Sequence, residues 1–105
     1  MLWLHYVGYF FGGAFLANAL PHLIAGVSGK PAPTPFASPP FRGVSPPVVN
    51  VAWALVNLAA AYLLLVRVGA FDVRSWSHVG VCFAGFGAMA LQCARSLGSS
   101  PARAR

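Results

Sequence analysis

The length of the apolar blocks most constrains what this chain can fold into. Residues 2–27 contain no Lys, Arg, Asp or Glu, and further apolar blocks follow at about residues 46–68 and 76–97. As an α-helix the first block would be about 37 Å long, enough to cross about 30 Å of hydrocarbon with some tilt. Only 8% of the residues are charged, whereas a soluble domain has about a quarter. The sequence therefore predicts a membrane protein.

The predicted fold class is all-α: one membrane domain of residues 1–105, with three transmembrane helices and a proline-rich loop between the first two. The loop, residues 28–47, holds seven of the nine prolines, which forbid a continuing helix and favour extended backbone. It is interpreted either as a semi-rigid linker at the membrane interface or as a lid or docking segment. A basic tail, residues 98–105, follows the third helix.

Residue types at the ends of the blocks predict where the second and third helices begin and end. Ser45 followed by Pro46 suits the N-cap and first residue of the second helix. Gly69 suits the end of that helix, and Ser75 suits the N-cap of the third. Because the link between them, residues 69–75, is short, we expect the second and third helices to be antiparallel neighbours.

The basic residues are distributed as in a membrane protein rather than a nucleic-acid-binding protein. The net charge is +6, but these residues stand singly near the ends of apolar segments and form no cluster of the kind that binds phosphates. The side shared by the proline-rich loop and the C-terminus holds five and the opposite side two: Lys30, Arg42, Arg95, Arg103 and Arg105, against Arg67 and Arg74. Because basic residues prefer the cytoplasmic side, we expect a cytoplasmic C-terminus, an N-terminus outside, contact with the lipid bilayer and no nucleic-acid partner.

Small residues recur along one side of each predicted helix. These faces are Gly8, Gly12, Ala19, Ala25 and Gly26 in the first helix, Asn50, Ala54, Asn57 and Ala61 in the second, and Gly80, Ala84, Gly87 and Ala94 in the third. Small residues allow helix backbones to approach closely, and this close packing drives helix association in lipid. We therefore predict that the three faces are the helix–helix interfaces.

Five polar side chains within the apolar blocks form the candidate site. Every helix contributes at least one to the cytoplasmic half: Asn18, His22, Asn50, Asn57 and Gln92. Polar side chains in hydrocarbon seek one another, so one interpretation is interhelical hydrogen bonding, worth roughly 0.6 kcal/mol per bond. The other is a polar site for a proton, ion or small ligand, in which only His22 can carry a proton.

No metal site and no cofactor are predicted, although two side chains of the third helix are candidates for a soft metal. His78 and Cys82 are four residues apart, so both face one side of the helix and together suit an ion such as Cu(I). Cysteine in an apolar helix is equally an ordinary packing residue. Enzyme signatures are missing, because Asp72 is the only acidic residue and no carboxylate pair or nucleophilic triad can be assembled. We therefore expect a protein that is not an enzyme.

The end of the first helix and the proline-rich loop resemble a known group of proteins. Residues 18–22 have the sequence Asn-Ala-Leu-Pro-His and residues 33–37 the sequence Pro-Thr-Pro-Phe-Ala, followed by Ser-Pro-Pro at 38–40 and again at 45–47. Over residues 16–50 the chain is similar to a group of uncharacterised small bacterial membrane proteins. The resemblance implies a location in the bacterial inner membrane and implies no activity.

Three functions are consistent with these features. The first is a structural or interaction protein, an accessory subunit whose small-residue faces meet another copy or a larger membrane-protein partner. The second is a homo-oligomeric transporter or channel with a polar site near His22. The third is a metal- or haem-binding redox accessory that uses His5, His78 or Cys82. We further hypothesise that the proline-rich loop folds back over the helix ends, with Thr34 and Phe36 covering His22.

Overall fold

The described residues form three helices and no strand, which confirms the all-α prediction. The computed structural model describes residues 2–98, so that the predicted tail, apart from its first residue, lies outside the described residues. The helices are α1, Leu2–Val27; α2, Pro47–Tyr62, which continues directly into a π-helical segment, Leu63–Val68; and α3, Trp76–Gly98.

Each helix has the length and composition of a membrane span. The three candidate spans are Leu2–Val27, Pro47–Val68 and Trp76–Ser96, with 26, 22 and 21 residues. A span needs about 20 predominantly apolar residues, at a rise of about 1.5 Å per residue. The prediction of three transmembrane helices is therefore confirmed.

Helix α1 lies between the other two helices, so the prediction that the second and third helices are neighbours was wrong. Both α2 and α3 pack against α1, and among the described residues no Cα atom of α3 lies within 8 Å of a Cα atom of α2. The link of residues 69–75 is nevertheless long enough to connect α2 with α3 across α1. Seven extended residues reach up to about 23 Å, and helices on opposite sides of a third are about 16–20 Å apart, since packed axes are separated by about 8–10 Å.

The link is held against the start of α1 by a tyrosine that the sequence analysis did not select. Tyr9 is 1% exposed, and its hydroxyl oxygen accepts a hydrogen bond from the backbone N–H of Ala70 at 3.1 Å. Its ring packs so closely on Gly69 that a Cβ atom there would lie 2.5 Å from a ring carbon. This contact holds the link across the N-terminal part of α1, so that α3 begins on the side of α1 opposite to α2.

Helix α2 packs on α1 through the small residues that the sequence predicts. Its predicted face is buried, with at most 1% of any residue exposed: Asn50, Ala54, Asn57 and Ala61. On α1, a Cβ atom added to Gly8 would lie 2.7 Å from the carbonyl oxygen of Leu64 in the π-helical segment. The two predicted faces are therefore confirmed for this pair of helices.

Helix α3, in contrast, packs on α1 with the side opposite to the predicted one. We call the predicted face, Gly80, Ala84, Gly87 and Ala94, the outer face of α3. Ala84 and Ala94 are exposed, and none of the described neighbouring atoms comes within 4 Å of a Cβ atom placed on Gly80 or Gly87. The outer face therefore makes no close helix contact within the described part of the chain, and its assignment to the α1 interface was wrong.

The actual contact between α1 and α3 depends on one glycine from each helix. A Cβ atom on Gly85 would overlap the Phe10 carbonyl oxygen, and one on Gly13 would overlap the Cys82 carbonyl oxygen. Helix α3 thus carries small residues on two opposite sides. Periodicity alone cannot tell which side is internal, because the choice depends on where Gly13 lies on the neighbouring helix.

The helix ends follow the predicted signals with one shift. Ser75 caps α3, since its Oγ accepts the backbone N–H of His78 at 3.3 Å, and Gly69 ends the π-helical segment; both predictions are confirmed. The N-cap of α2 is Pro46 rather than Ser45. The Ser45 hydroxyl is instead 2.6 Å from the Thr34 hydroxyl, so a contact within the proline-rich loop displaces the expected cap.

Candidate functional site

A chain of hydrogen bonds joins all three helices at one level. The Cys93 thiol of α3 donates to Asn18 Oδ1 of α1 at 3.6 Å, and Asn18 Nδ2 donates to Asn57 Oδ1 of α2 at 2.8 Å. Asn57 in turn donates its Nδ2 to the Trp53 carbonyl oxygen at 2.8 Å. The three helices are therefore fixed against one another by polar side chains that face inwards.

A second set of hydrogen bonds ties α1 to α2 and to the proline-rich loop. Asn50 is fully buried, and its Nδ2 donates to the carbonyl oxygens of Ala32 and Ser45, each at 3.1 Å. Its Oδ1 lies 2.8 Å from Nδ1 of His22. Asn50 therefore connects the imidazole of α1 with the two loop residues that pair with each other in the isolated bridge.

These bonds also determine the tautomer of His22. The Asn50 amide nitrogen faces carbonyl oxygens, which only accept, so the Asn50 oxygen must be the atom that faces His22. Because that oxygen is an acceptor, Nδ1 of His22 carries the hydrogen. In the neutral imidazole the other nitrogen, Nε2, is then a hydrogen-bond acceptor.

The proline-rich loop is folded back on the start of α2 and fixed there. Thr34 is fully buried, its hydroxyl contacts that of Ser45, and its backbone oxygen accepts the N–H of Phe41 at 2.9 Å. Phe36 is 66% exposed and rests its ring edge on Trp53, with ring centroids 5.3 Å apart. Among the described residues no hydrogen bond or ring contact joins Thr34 or Phe36 to His22, and the covering of His22 by these two residues stays a prediction.

A cleft of about 410 Å³ lies between α2 and α3, beside α1. We call it the α2–α3 cleft. Among the described residues its lining contains five polar and four apolar side chains, contributed by the three helices and the loop: Asn18, His22, Gln92, Cys93 and Ser96, with Pro33, Phe41, Trp53 and Met89. The cleft exists because α2 and α3 each pack on α1 and leave a gap between them.

The five polar residues of the candidate site therefore divide into two pairs and one separate side chain. Asn18 pairs with Asn57, and His22 pairs with Asn50. Gln92 is exposed and donates to Ser96 Oγ at 3.1 Å. It joins neither pair, although it lines the α2–α3 cleft opposite Asn18 and His22.

His22 retains one polar atom that faces the cleft. The residue is 6% exposed, and only its Nδ1 has a hydrogen-bond partner among the described residues. No buried side-chain nitrogen or oxygen in the described part of the chain lacks a partner, so Nε2 keeps contact with the open space of the cleft. The site thus presents a fixed acceptor in a pocket of mixed polarity.

The metal-ligand candidates of α3 lie at the other end of the protein and serve packing. The ring of His78 lies 4.4 Å from that of Tyr9, and its Nδ1 accepts the backbone N–H of Asp72 at 3.1 Å. The backbone of Cys82 forms the contact with Gly13, and its thiol is free. Among the described residues no three His, Cys, Asp or Glu side chains are grouped so as to hold a metal ion.

Several residues of the cleft were missed by the sequence analysis. Trp53 lies one turn before Asn57 and one turn after Asn50, and that spacing on α2 was a usable signal. Phe41 has a φ angle of +62°, in the left-handed region that residues other than glycine rarely adopt. That conformation determines the direction of the chain beside the cleft, and no pattern of residue types predicts it.

Comparison with known proteins provides no relative from which a function could be transferred. No protein-family model, curated protein or solved structure matches this chain. The assignment of a function rests instead on the hydrogen-bonded pairs, the α2–α3 cleft and the outer face of α3.

Proposed function

We propose that this protein is an accessory subunit that binds a transmembrane helix of a different membrane protein through the outer face of α3. The observation that carries this proposal is the open space beside Gly80 and Gly87, where the described chain places no atom within 4 Å of a Cβ position. Small residues at such positions allow a second helix to approach closely, and in lipid this close packing drives helix association.

The use of small residues elsewhere in the chain supports this role. On α1 and α2 the corresponding residues are buried by helix packing, for example Gly8, Gly12 and Ala54. The outer face of α3 has the same composition and is flanked by exposed side chains such as Phe83 and Leu91, which are 75% and 65% exposed. Its composition is that of a helix–helix interface, but the described chain packs no helix against it.

The pairing of the polar residues favours an accessory subunit over a transporter. A transport path through an oligomer requires polar side chains directed towards neighbouring copies. Here Asn18, Asn57 and Asn50 form their hydrogen bonds within one chain, and none of them lies on the outer face of α3.

Charge favours a different protein over a second copy as the partner. The chain has seven basic residues and one acidic residue, and the Asp72 carboxylate already accepts the backbone N–H of Arg74 at 2.9 Å. Two copies in contact would bring like charges together at the membrane boundaries, which opposes association. A partner helix with acidic residues at its boundaries would be complementary.

We further infer a bacterial inner-membrane location with the N-terminus outside. The resemblance of residues 16–50 supports the membrane, and the excess of basic residues on the side of the loop and C-terminus supports the orientation. Fusions of a periplasmic reporter and a cytoplasmic reporter to the C-terminus test the orientation. The cytoplasmic reporter should be active and the periplasmic one inactive; the reverse result would overturn the inference.

Native mass spectrometry of the protein, purified at low expression in mild detergent, tests the accessory role. We expect one copy bound to a different protein, and we expect Ala84→Leu on the outer face to raise the dissociation constant of that complex about tenfold, equivalent to about 1.4 kcal/mol. Ala59→Leu is the matched control, because Ala59 is also exposed but lies on α2. A homogeneous homo-oligomer would contradict the proposal and favour a transporter, and added mass of a metal or haem would favour a redox accessory.

A further inference from the structure

We propose that the α2–α3 cleft binds a neutral membrane lipid that carries a hydroxyl group, and that this hydroxyl donates a hydrogen bond to Nε2 of His22. This inference concerns the side of α3 that faces α1, and it does not depend on a partner at the outer face. It assigns a ligand class and an orienting atom to a cleft that the accessory role leaves without a function.

The size and lining of the cleft suit a small amphipathic ligand. Its volume of about 410 Å³ lies within the range of about 300–1,000 Å³ that is typical of ligand pockets. Apolar walls from Trp53 and Met89 face polar groups from Asn18 and His22. Such pockets use a few fixed polar groups to orient a mostly apolar ligand.

His22 determines which hydrogen-bonding group the ligand must carry. Its Nδ1 is occupied by Asn50, and its ring is held in place with only 6% of the residue exposed. The Nε2 atom is therefore an acceptor without a partner in the described protein, and an unpaired polar atom away from water is unfavourable. A ligand hydroxyl supplies the missing donor, whereas an ether or ester oxygen does not.

The described residues of the lining carry no formal charge, which favours a ligand with a neutral head group. Among the described residues that line the cleft there is no Lys, Arg, Asp or Glu. A charged group placed between helices in a membrane is costly unless it is paired. Neutral alcohols such as diacylglycerols therefore fit this lining better than anionic or zwitterionic phospholipids.

The position of the cleft between two candidate membrane spans allows a ligand to enter it from the bilayer. The cleft lies between two candidate membrane spans that do not contact each other in the described chain, so that a lipid can enter from the side. At its loop end Phe41 is 65% exposed and is held with a φ angle of +62° by the bond from its N–H to Thr34. The loop thus presents an aromatic ring at the mouth of the cleft, where an acyl chain would pass.

Photolabelling of the full-length protein in phosphatidylcholine nanodiscs tests this site. The probe is a diacylglycerol with a diazirine in one acyl chain, and peptide mass spectrometry locates the labels. We expect labelling at Met89 within the cleft, with Leu91 on the outer side of α3 as the internal reference for ordinary lipid contact. Unlabelled dioctanoylglycerol should reduce the Met89 label but leave the Leu91 label unchanged.

The hydroxyl requirement is tested by two comparisons. The methyl ether of dioctanoylglycerol should compete about fivefold less well than the alcohol, the preference that one net hydrogen bond provides. His22→Asn keeps a donor for Asn50, but its own acceptor, Oδ1, does not reach the position of Nε2 because the side chain is shorter, so this variant should abolish that preference. Three results would each overturn the proposal: equal competition by the alcohol and the ether, equally strong competition by phosphatidylglycerol, or equal loss of label at Met89 and Leu91. The comparison with the ether uses the unmodified protein, so it does not depend on the folding of a variant.

Discussion

Asn18 of α1 donates its side-chain N–H to the side-chain oxygen of Asn57 of α2 at 2.8 Å, with Asn57 completely buried. Cys93 extends this contact to α3 through the Asn18 oxygen. Through Cys93 this amide pair is linked to all three helices, whereas the bond between His22 and Asn50 joins only α1 and α2. We therefore regard it as the central structural bond of the protein.

Removing Asn57 should destabilise the protein more than removing Gln92. Asn57→Ala removes a fully buried side chain and leaves the partly buried Asn18 amide without its acceptor, and we expect a loss of about 1–3 kcal/mol in the free energy of unfolding. Gln92 is exposed, so Gln92→Ala should change that free energy by less than about 0.5 kcal/mol. Reversible unfolding in mixed detergent micelles measures both values, and equal losses would show that Asn57 has no special role.

Glycine substitutions on the two sides of α3 should differ in their effect on the stability of the protein. Gly85→Ala forces a methyl group against the Phe10 carbonyl oxygen, and we expect a destabilisation of about 1–3 kcal/mol. Gly87→Ala meets open space and should be neutral or stabilise α3 by up to about 1 kcal/mol, because alanine favours helix.

The same unfolding measurement decides between the two faces of α3. If Gly87→Ala proves more damaging than Gly85→Ala in the isolated protein, α3 packs on α1 with the face that the sequence periodicity predicts. The arrangement of the helices described above would then be incorrect.

Asn50 should control the position of the proline-rich loop. Asn50→Ala removes the donor that binds the Ala32 and Ser45 carbonyl oxygens, so the bridge between these two residues loses its anchor. We expect their backbone amides to exchange hydrogen about tenfold faster, equivalent to about 1.4 kcal/mol of local stability. Ser38→Ala, at an exposed position of the same loop, should leave their exchange rates unchanged.

His22 should be shielded from aqueous reagents while the loop is intact. In a background with Cys82→Ala and Cys93→Ala, we expect His22→Cys to react with a membrane-impermeant maleimide at least about tenfold more slowly than Ser38→Cys. The reason is burial, since His22 is 6% exposed and cysteine reactivity requires access. Similar rates at the two positions would mean that the loop does not cover the end of α1.

Local sequence features were sufficient to predict the helices but not their arrangement. Apolar block length identified the three spans, and the 3.6-residue period identified the buried face of α2. The arrangement around α1 depends on Gly13 and Gly85, which meet only when two distant segments come together. The position of α3 also depends on the contact of Tyr9 with Gly69, which the short link by itself does not reveal.

The candidate site illustrates the same limit. The polar residues Asn18, His22, Asn50 and Asn57 were recognisable because amides and imidazoles are rare in apolar helices. Their partners were not, since Asn50 binds carbonyl oxygens of the loop and Gln92 bonds Ser96 instead of joining either pair. The contribution of Phe41 depends on a backbone conformation that no local residue preference specifies.

Site-specific photocrosslinking in intact membranes tests the accessory role most directly. A diazirine amino acid replaces Ala84 on the outer face of α3, or Ala59 on α2 as the control. We predict that the 11.0 kDa chain forms, from position 84 only, one conjugate with a different protein, mapped to a transmembrane helix with acidic residues at its boundaries. A conjugate of two copies of this chain, or labelling of lipid alone at both positions, would contradict the proposed function.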